Sequence, residues 1–225
     1  MVTRDFFMFA IKRSMIGLGA LVLMSAAQAS TSSTPALFSE GFDSFSSSGW
    51  VLVNNSALEG QAWSQGVEEL LSGAQSGAAN SFAFASYLSA ANGIGSIDNW
   101  LISPEITLGG ASSLSFYART QDLAGFNDAF KVLFSAGSGT ATSGFTALAS
   151  ITATTGGWTQ YTFALPSAAT GRIAFEYLVA DAGNANALGI DTISVTAAVP
   201  EPSSYALMAA GLLGLAALRR RAASK

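Results

Sequence analysis

Neither cysteine nor histidine occurs anywhere in the 225 residues. Without thiols no disulfide can form, even in an oxidising compartment. Zinc and copper lose their usual ligands. With no imidazole to act as base, the Ser-His-Asp and Cys-His arrangements are impossible, which removes the commonest hydrolytic mechanisms. Positive charge is scarce as well. Between residues 30 and 198 only Arg119, Lys131 and Arg172 are basic, against twelve acidic side chains, a net charge of −9. Such a surface repels phosphate backbones and disfavours nucleic-acid binding. It suits a module that holds divalent cations.

The two ends do not read as folded domain. Arg4, Lys12 and Arg13 form a positive n-region, and residues 14–26 an apolar h-region. Ala27 and Ala29 supply the small residues of a cleavage site, so residues 1–29 read as a signal peptide cut before Ser30. The apolar run is about 13 residues, short of the roughly 20 that span a bilayer, which favours cleavage over a retained anchor. At the other end Pro200 and Pro202 stop the last strand. Residues 205–218 are then uncharged and largely apolar, and Arg219, Arg220 and Arg221 follow at once. This pattern predicts a short transmembrane helix over 205–218, with the arginines as a cytoplasmic stop. Its 14 residues reach only roughly 21 Å as a helix.

The middle predicts strands and no amphipathic helix. Residues 114–118, 130–134, 161–165 and 173–179 alternate apolar and polar side chains, bounded by Gly, Ser, Asn and Asp clusters. Shorter candidates are 36–42, 50–53, 82–87, 100–103 and 189–196. About ten short strands point to an all-β antiparallel sandwich or barrel over residues 30–198. Glu68 to Leu71 offers one helical turn hemmed in by Gly66 and Gly73.

Strand parity singles out two acids. In an extended segment 36–42, Phe38, Glu40 and Phe42 share a face, and in 189–196 Asp191 shares a face with Ile193 and Val195. Both carboxylates would lie in register with core residues, where an unpaired charge is strongly unfavourable. With three basic side chains in the whole domain, a bound cation is the natural partner, and calcium takes oxygen ligands.

Two resemblances cover most of the chain. Pro200-Glu201-Pro202, a short apolar helix and the arginine run resemble the PEP-CTERM sorting signal of Gram-negative bacteria. That family implies recognition and processing by exosortase, an integral-membrane enzyme, in an exopolysaccharide and biofilm setting. Leu37 to Asp43, Gly49-Trp50, Trp63, Ala85-Ser86-Tyr87, Asp98-Asn99-Trp100-Leu101-Ile102-Ser103-Pro104, Trp158 and Gly189-Ile190-Asp191 are similar to the choice-of-anchor J family and its relative, the cleaved-adhesin domain. The resemblance implies a jelly-roll β-sandwich with a structural calcium where first and last strands meet. It implies Glu40 and Asp191 as ligands, with the Phe38 carbonyl, Ser86 and Asn99 beside them. One departure stands out: family members often place several aspartates before the equivalent of Trp63, and here that loop reads Asn54-Asn55-Ser56-Ala57-Leu58-Glu59-Gly60-Gln61, which leaves open a site that is weak, uses fewer carboxylates or is lost.

Other motifs are weaker. Glu68 and Glu69 are adjacent and would point to opposite sides of a strand. The glycine pairs at 93/95 and 137/139 lack the following helix that cradles phosphate. Trp50, Trp63, Trp100 and Trp158 sit in apolar contexts that predict core packing over a sugar-stacking platform. The expectation is a non-enzymatic, exported adhesion module for glycan or protein, displayed on the cell surface or in the matrix. The alternative is a carbohydrate-active enzyme with two carboxylates about 5 to 9.5 Å apart, for which no pairing motif is present.

Overall fold

A computed structural model describes residues 35–198 and 204–223. The expected signal peptide with Ala27 and Ala29, and the Pro200-Glu201-Pro202 motif, lie outside the described residues.

Ten strands, all paired antiparallel, form one continuous sheet that folds over into two layers. One layer holds β1 (Ala36–Glu40), β3 (Ser64–Gln65), β4 (Ala83–Ser86), β6 (Ile106–Thr120), β10 (Ala187–Ala197) and the first half of β9 (Thr159–Val179). The other holds β2 (Val51–Asn54), β5 (Ile97–Ile102), β7 (Ala129–Ala136), β8 (Thr146–Thr152) and the second half of β9. β9 passes between layers at Gly171, which faces Ile106 of β6 and Ala136 of β7. Only glycine fits this corner: an added Cβ would lie 2.5 Å from the Phe134 ring and 3.0 Å from the Ser135 carbonyl.

Alternation fills the space between layers. Leu114, Phe116 and Ala118 of β6 meet Ile173, Phe175 and Tyr177 of β9, with the Phe116 and Phe175 rings edge to face at 4.8 Å. Two smaller apolar clusters cover the outer faces. Leu71, Phe82, Phe84 and Ala187 pack with Trp158 on one. Trp100, Ile102, Leu133 and Ala174 pack with Phe145 on the other. All four tryptophans therefore pack against core clusters, as their contexts predict.

The predicted helical turn is present as α1 (Glu68–Leu71), closed by Ser72 in the left-handed region at φ 54°. The C-terminal segment is a 20-residue helix, α2 (Ser204–Ala223), which takes in Arg219, Arg220 and Arg221. No helix among the described residues is long and apolar enough to cross a membrane. The transmembrane helix expected over 205–218 is therefore not supported. The apolar stretch is too short for a hydrocarbon core of about 30 Å, and the rest of the helix carries the three arginines.

Candidate functional site

β10 is the spine of the first layer, and its middle carries the buried carboxylate of Asp191, 0% exposed. Parity placed this residue on the core face with Ile193 and Val195. The structure corrects that. Leu188, Ile190, Ile193 and Val195 belong to the central core, which requires one extra residue between Ile190 and Ile193. A β-bulge supplies it: the register with β6 shifts between Asp191 and Ser194, and Thr192 is left-handed at φ 48°. Asp191 consequently shares the opposite face with Gly189, whose Cβ position is closed off by Leu71 and Trp158.

On that face the segment after α1 folds over the sheet and hands its amides to Asp191. Oδ2 accepts from the Gln75 N–H at 2.8 Å and the Ser76 N–H at 3.2 Å, and Oδ1 from the Thr192 N–H at 2.5 Å. Burial pushes the Asp191 carboxyl above its ordinary range, and these backbone donors pull it partly back. Glu40 is served in the same way. Its Oε1 accepts from the Phe42 N–H at 2.7 Å and its Oε2 from the Trp50 indole at 3.3 Å. That first bond holds Phe42 left-handed at φ 53°, so its ring turns into the core 5.4 Å from Trp50. The unpaired charges inferred from parity are thus met by N–H donors.

The five expected calcium ligands do not converge. Ser86 caps the 3-10 turn Tyr87–Ser89 by accepting from the Leu88 N–H at 3.3 Å. It lies opposite Ala187, four residues along β10 from Asp191, or roughly 13 Å. Phe38 pairs with Val195 within the ladder. Asn99 is fully buried on the core side of β5 and hydrogen-bonds to the loop before Trp63. Its amide donates to the Gln61 carbonyl at 3.1 Å and Ser89 Oγ at 2.8 Å, while Asn54 donates to the Gln61 and Ser89 carbonyls at 3.3 and 2.9 Å. The carbonyls fix which way these amides point. These amide protons tie the loop before Trp63 to β2 and β5. The Asn99 Oδ1, on the other side of its amide, is buried without a hydrogen-bond partner.

A second cluster of oxygens lines a cleft beside Glu40. About 240 Å³ in volume, it is lined by Ser39, Glu40, Asp43, Ser76, Gly77 and the bulge at Thr192. Its polar side chains offer only oxygen donors, the chemistry hard cations take. Asp43 Oδ1 also accepts from Ser81 Oγ at 2.8 Å. No group of three or more acidic, histidine or cysteine residues suited to a metal occurs among the described residues, so two carboxylates would act with hydroxyls and carbonyls. Sequence reasoning missed Asp43 as a candidate, although it closes the Leu37-to-Asp43 motif.

Two further carboxylates are buried. Asp128, 2% exposed, accepts from the Tyr177 hydroxyl at 2.5 Å, the Asn186 N–H at 2.8 Å and the Thr120 hydroxyl. Burial, together with the Asp128 charge, pushes the Tyr177 phenol far above its usual range, so it stays a donor. Glu176, on the outer face of β9, pairs with Lys131 at 2.9 Å. Burial raises its carboxyl, opposed by Lys131 and reinforced by Asp98 nearby. None of these three buried acids lines the Glu40 cleft.

This geometry belongs to a recognisable group. The model of the Cleaved Adhesin Domain matches residues 36–195, the span of the sandwich just described. The chain belongs to the Cleaved Adhesin Domain family. A second model, the PEP-CTERM protein-sorting motif, matches residues 198–221. Among solved structures, the K1 cleaved adhesin domain of Lys-gingipain from Porphyromonas gingivalis W83 is similar at 24% identity with a TM-score of 0.61, covering 72% of this chain and 98% of that one. The K3 domain from the same organism matches at 21% identity with a TM-score of 0.55, over 73% of this chain and 99% of its own. These cleaved adhesin structures share the jelly-roll-like fold. No curated protein matches the chain.

Proposed function

We propose that the chain is an exported surface protein, processed through its C-terminal motif by exosortase, whose cleaved-adhesin sandwich binds extracellular glycan or protein without catalysis. The observation that carries this reading is the pairing of the two family matches, adhesin over 36–195 and sorting motif over 198–221. A signal peptide cut before Ser30 supplies the export step, and a Gram-negative surface or polysaccharide matrix is the destination. The buried acids support a binding role: Asp128, Asp191 and Glu176 are each held by hydrogen bonds or an ion pair away from open solvent. The full-length chain should therefore bind polysaccharide without cutting it. Release of new reducing ends, lost on Glu176→Gln, would favour the two-carboxylate enzyme instead.

Calcium belongs to the same proposal, at the Glu40 cleft with Asp43 and without Asn99 or Ser86. When bound, the ion would neutralise the two carboxylates and join β1 to the segment that covers Asp191. Extracellular sites bind with Kd of about 10⁻⁴ to 10⁻³ M, so millimolar calcium should add about 0.4–1.4 kcal/mol. Melting of metal-stripped protein should rise by a few degrees in 1 mM calcium and fall back with chelator. Asp43→Asn should remove the response, and Glu68→Gln, on exposed α1, should keep it. Identical melting with and without calcium in the wild type would rule this site out.

A further inference from the structure

The sandwich end formed by the turns after β4, β6 and β9 carries two exposed aromatic rings, Tyr87 at 42% and Phe126 at 43%. Both line one cleft of about 320 Å³, with Asn92, Asn186, Gly93 and Gly183 completing the walls. The volume falls within the small-ligand range of about 300–1,000 Å³. No charged side chain lines it, in a domain of net charge −9. The Tyr87 ring lies against Gly93, where an added Cβ would come within 2.8 Å of it.

The walls are tied to each other rather than left as separate loops. The Asn127 N–H donates to the Asn184 carbonyl at 2.7 Å, the Ala182 N–H to the Gly95 carbonyl at 2.8 Å, and the Tyr87 N–H to the Asn186 carbonyl at 3.0 Å. Asn186 is positioned twice more, by its N–H on Asp128 and its amide on Gln121 Oε1 at 2.8 Å. Binding here would cost little ordering. Beyond Tyr87 a second cleft begins, sharing Tyr87 and Asn186 and lined further by Gln61, Gln121, Val67 and Leu70.

We infer that Tyr87 and Phe126 form a binding site for a neutral polysaccharide, one pyranose in the first cleft and the chain continuing past Tyr87 into the second. A pyranose presents an apolar C–H face, which suits aromatic rings, and a rim of hydroxyls, which suits amides that both donate and accept. Uronate or sialate residues would meet the field of the acidic domain with no cation in the cleft to receive them. This assignment rests on the adhesion reading and names the ligand class of that function.

Affinity electrophoresis of the full-length chain tests it in gels containing neutral glucan, galactan, mannan or xylan, beside alginate as an acidic chain. Wild type should be retarded by at least one neutral polymer and not by alginate. Tyr87→Ala and Phe126→Ala should each weaken retardation tenfold or more, at unchanged melting temperature because both side chains are exposed. Tyr87→Phe should keep binding, and Asn92→Gly, which preserves the left-handed backbone at φ 59°, should weaken it. Retardation that persists in the Tyr87→Ala/Phe126→Ala variant overturns this site while leaving the adhesion reading standing. Binding to alginate alone overturns the neutral ligand. No retardation of wild type by any polymer overturns both the site and the glycan branch of the proposed function.

Discussion

Asp128→Ala should lower the stability of the sandwich by about 3–5 kcal/mol. Two donors, the buried Tyr177 hydroxyl and the half-buried Asn186 N–H, would lose the Asp128 carboxylate as their acceptor. Thr120 would suffer less. Its hydroxyl lies against both Asp128 Oδ2 and the Ala187 carbonyl at 2.8 Å, and its one proton can serve only one of them. Hydrogen bonds to a charged acceptor contribute about 1.5–3 kcal/mol each, and an orphaned buried donor costs about 1–3 kcal/mol. Urea unfolding should show the midpoint falling by more than 1 M at unchanged slope. Tyr177→Phe removes one donor together with its need for an acceptor, so it should cost about 1 kcal/mol. A midpoint for Asp128→Ala within 0.3 M of wild type would mean the network does not hold β7 to the start of β10.

The sandwich was readable because its inner strands obey the period of two. Leu114, Phe116 and Ala118 alternate with Ser115 and Tyr117, and each apolar member is in the core. The rule fails where strands bend. Residues 161–165 and 173–179 read as two strands because Pro166, Ser167 and Gly171 between them look like a turn, yet β9 runs through all 21 residues. The glycine there marks a change of layer. β8 escaped notice because Thr146–Thr152 lies at the edge, with no residue fully buried to create a contrast.

The candidate site shows the same limit more sharply. Glu40 and Asp191 were identifiable as acids in apolar strands, and both are bound tightly by the fold. The side of the sheet on which Asp191 lies depends on one left-handed residue, Thr192, and a threonine gives no warning of positive φ. The backbone amides of Gln75 and Ser76 that serve it are 115 or more residues away in sequence and carry no side-chain signature. Asp128 was one of twelve acids until the fold placed Tyr177, Thr120 and Asn186 around it. The loop before Trp63 was legible in part: its lack of aspartates was plain, but not that Asn54 and Asn99 would both donate to the Gln61 carbonyl.

The largest cellular effect should come from replacing Pro200, Glu201 and Pro202 by alanine. In the proposed function, processing requires recognition of this motif, and the matched segment 198–221 holds the adjoining apolar helix and arginines. The substitution leaves residues 36–195 untouched, so the sandwich should fold and melt as before. The decisive measurement compares intact cells of the native host carrying wild-type chain with cells carrying the variant. It scores antibody access to the sandwich from outside and the presence of an epitope placed after Lys225. The account predicts wild-type sandwich accessible on the surface without the trailing epitope, and surface signal at least tenfold lower in the variant, with the epitope retained. Equal surface display of both proteins, with the epitope kept or lost alike, would contradict the claim that this chain is a sorted surface adhesin.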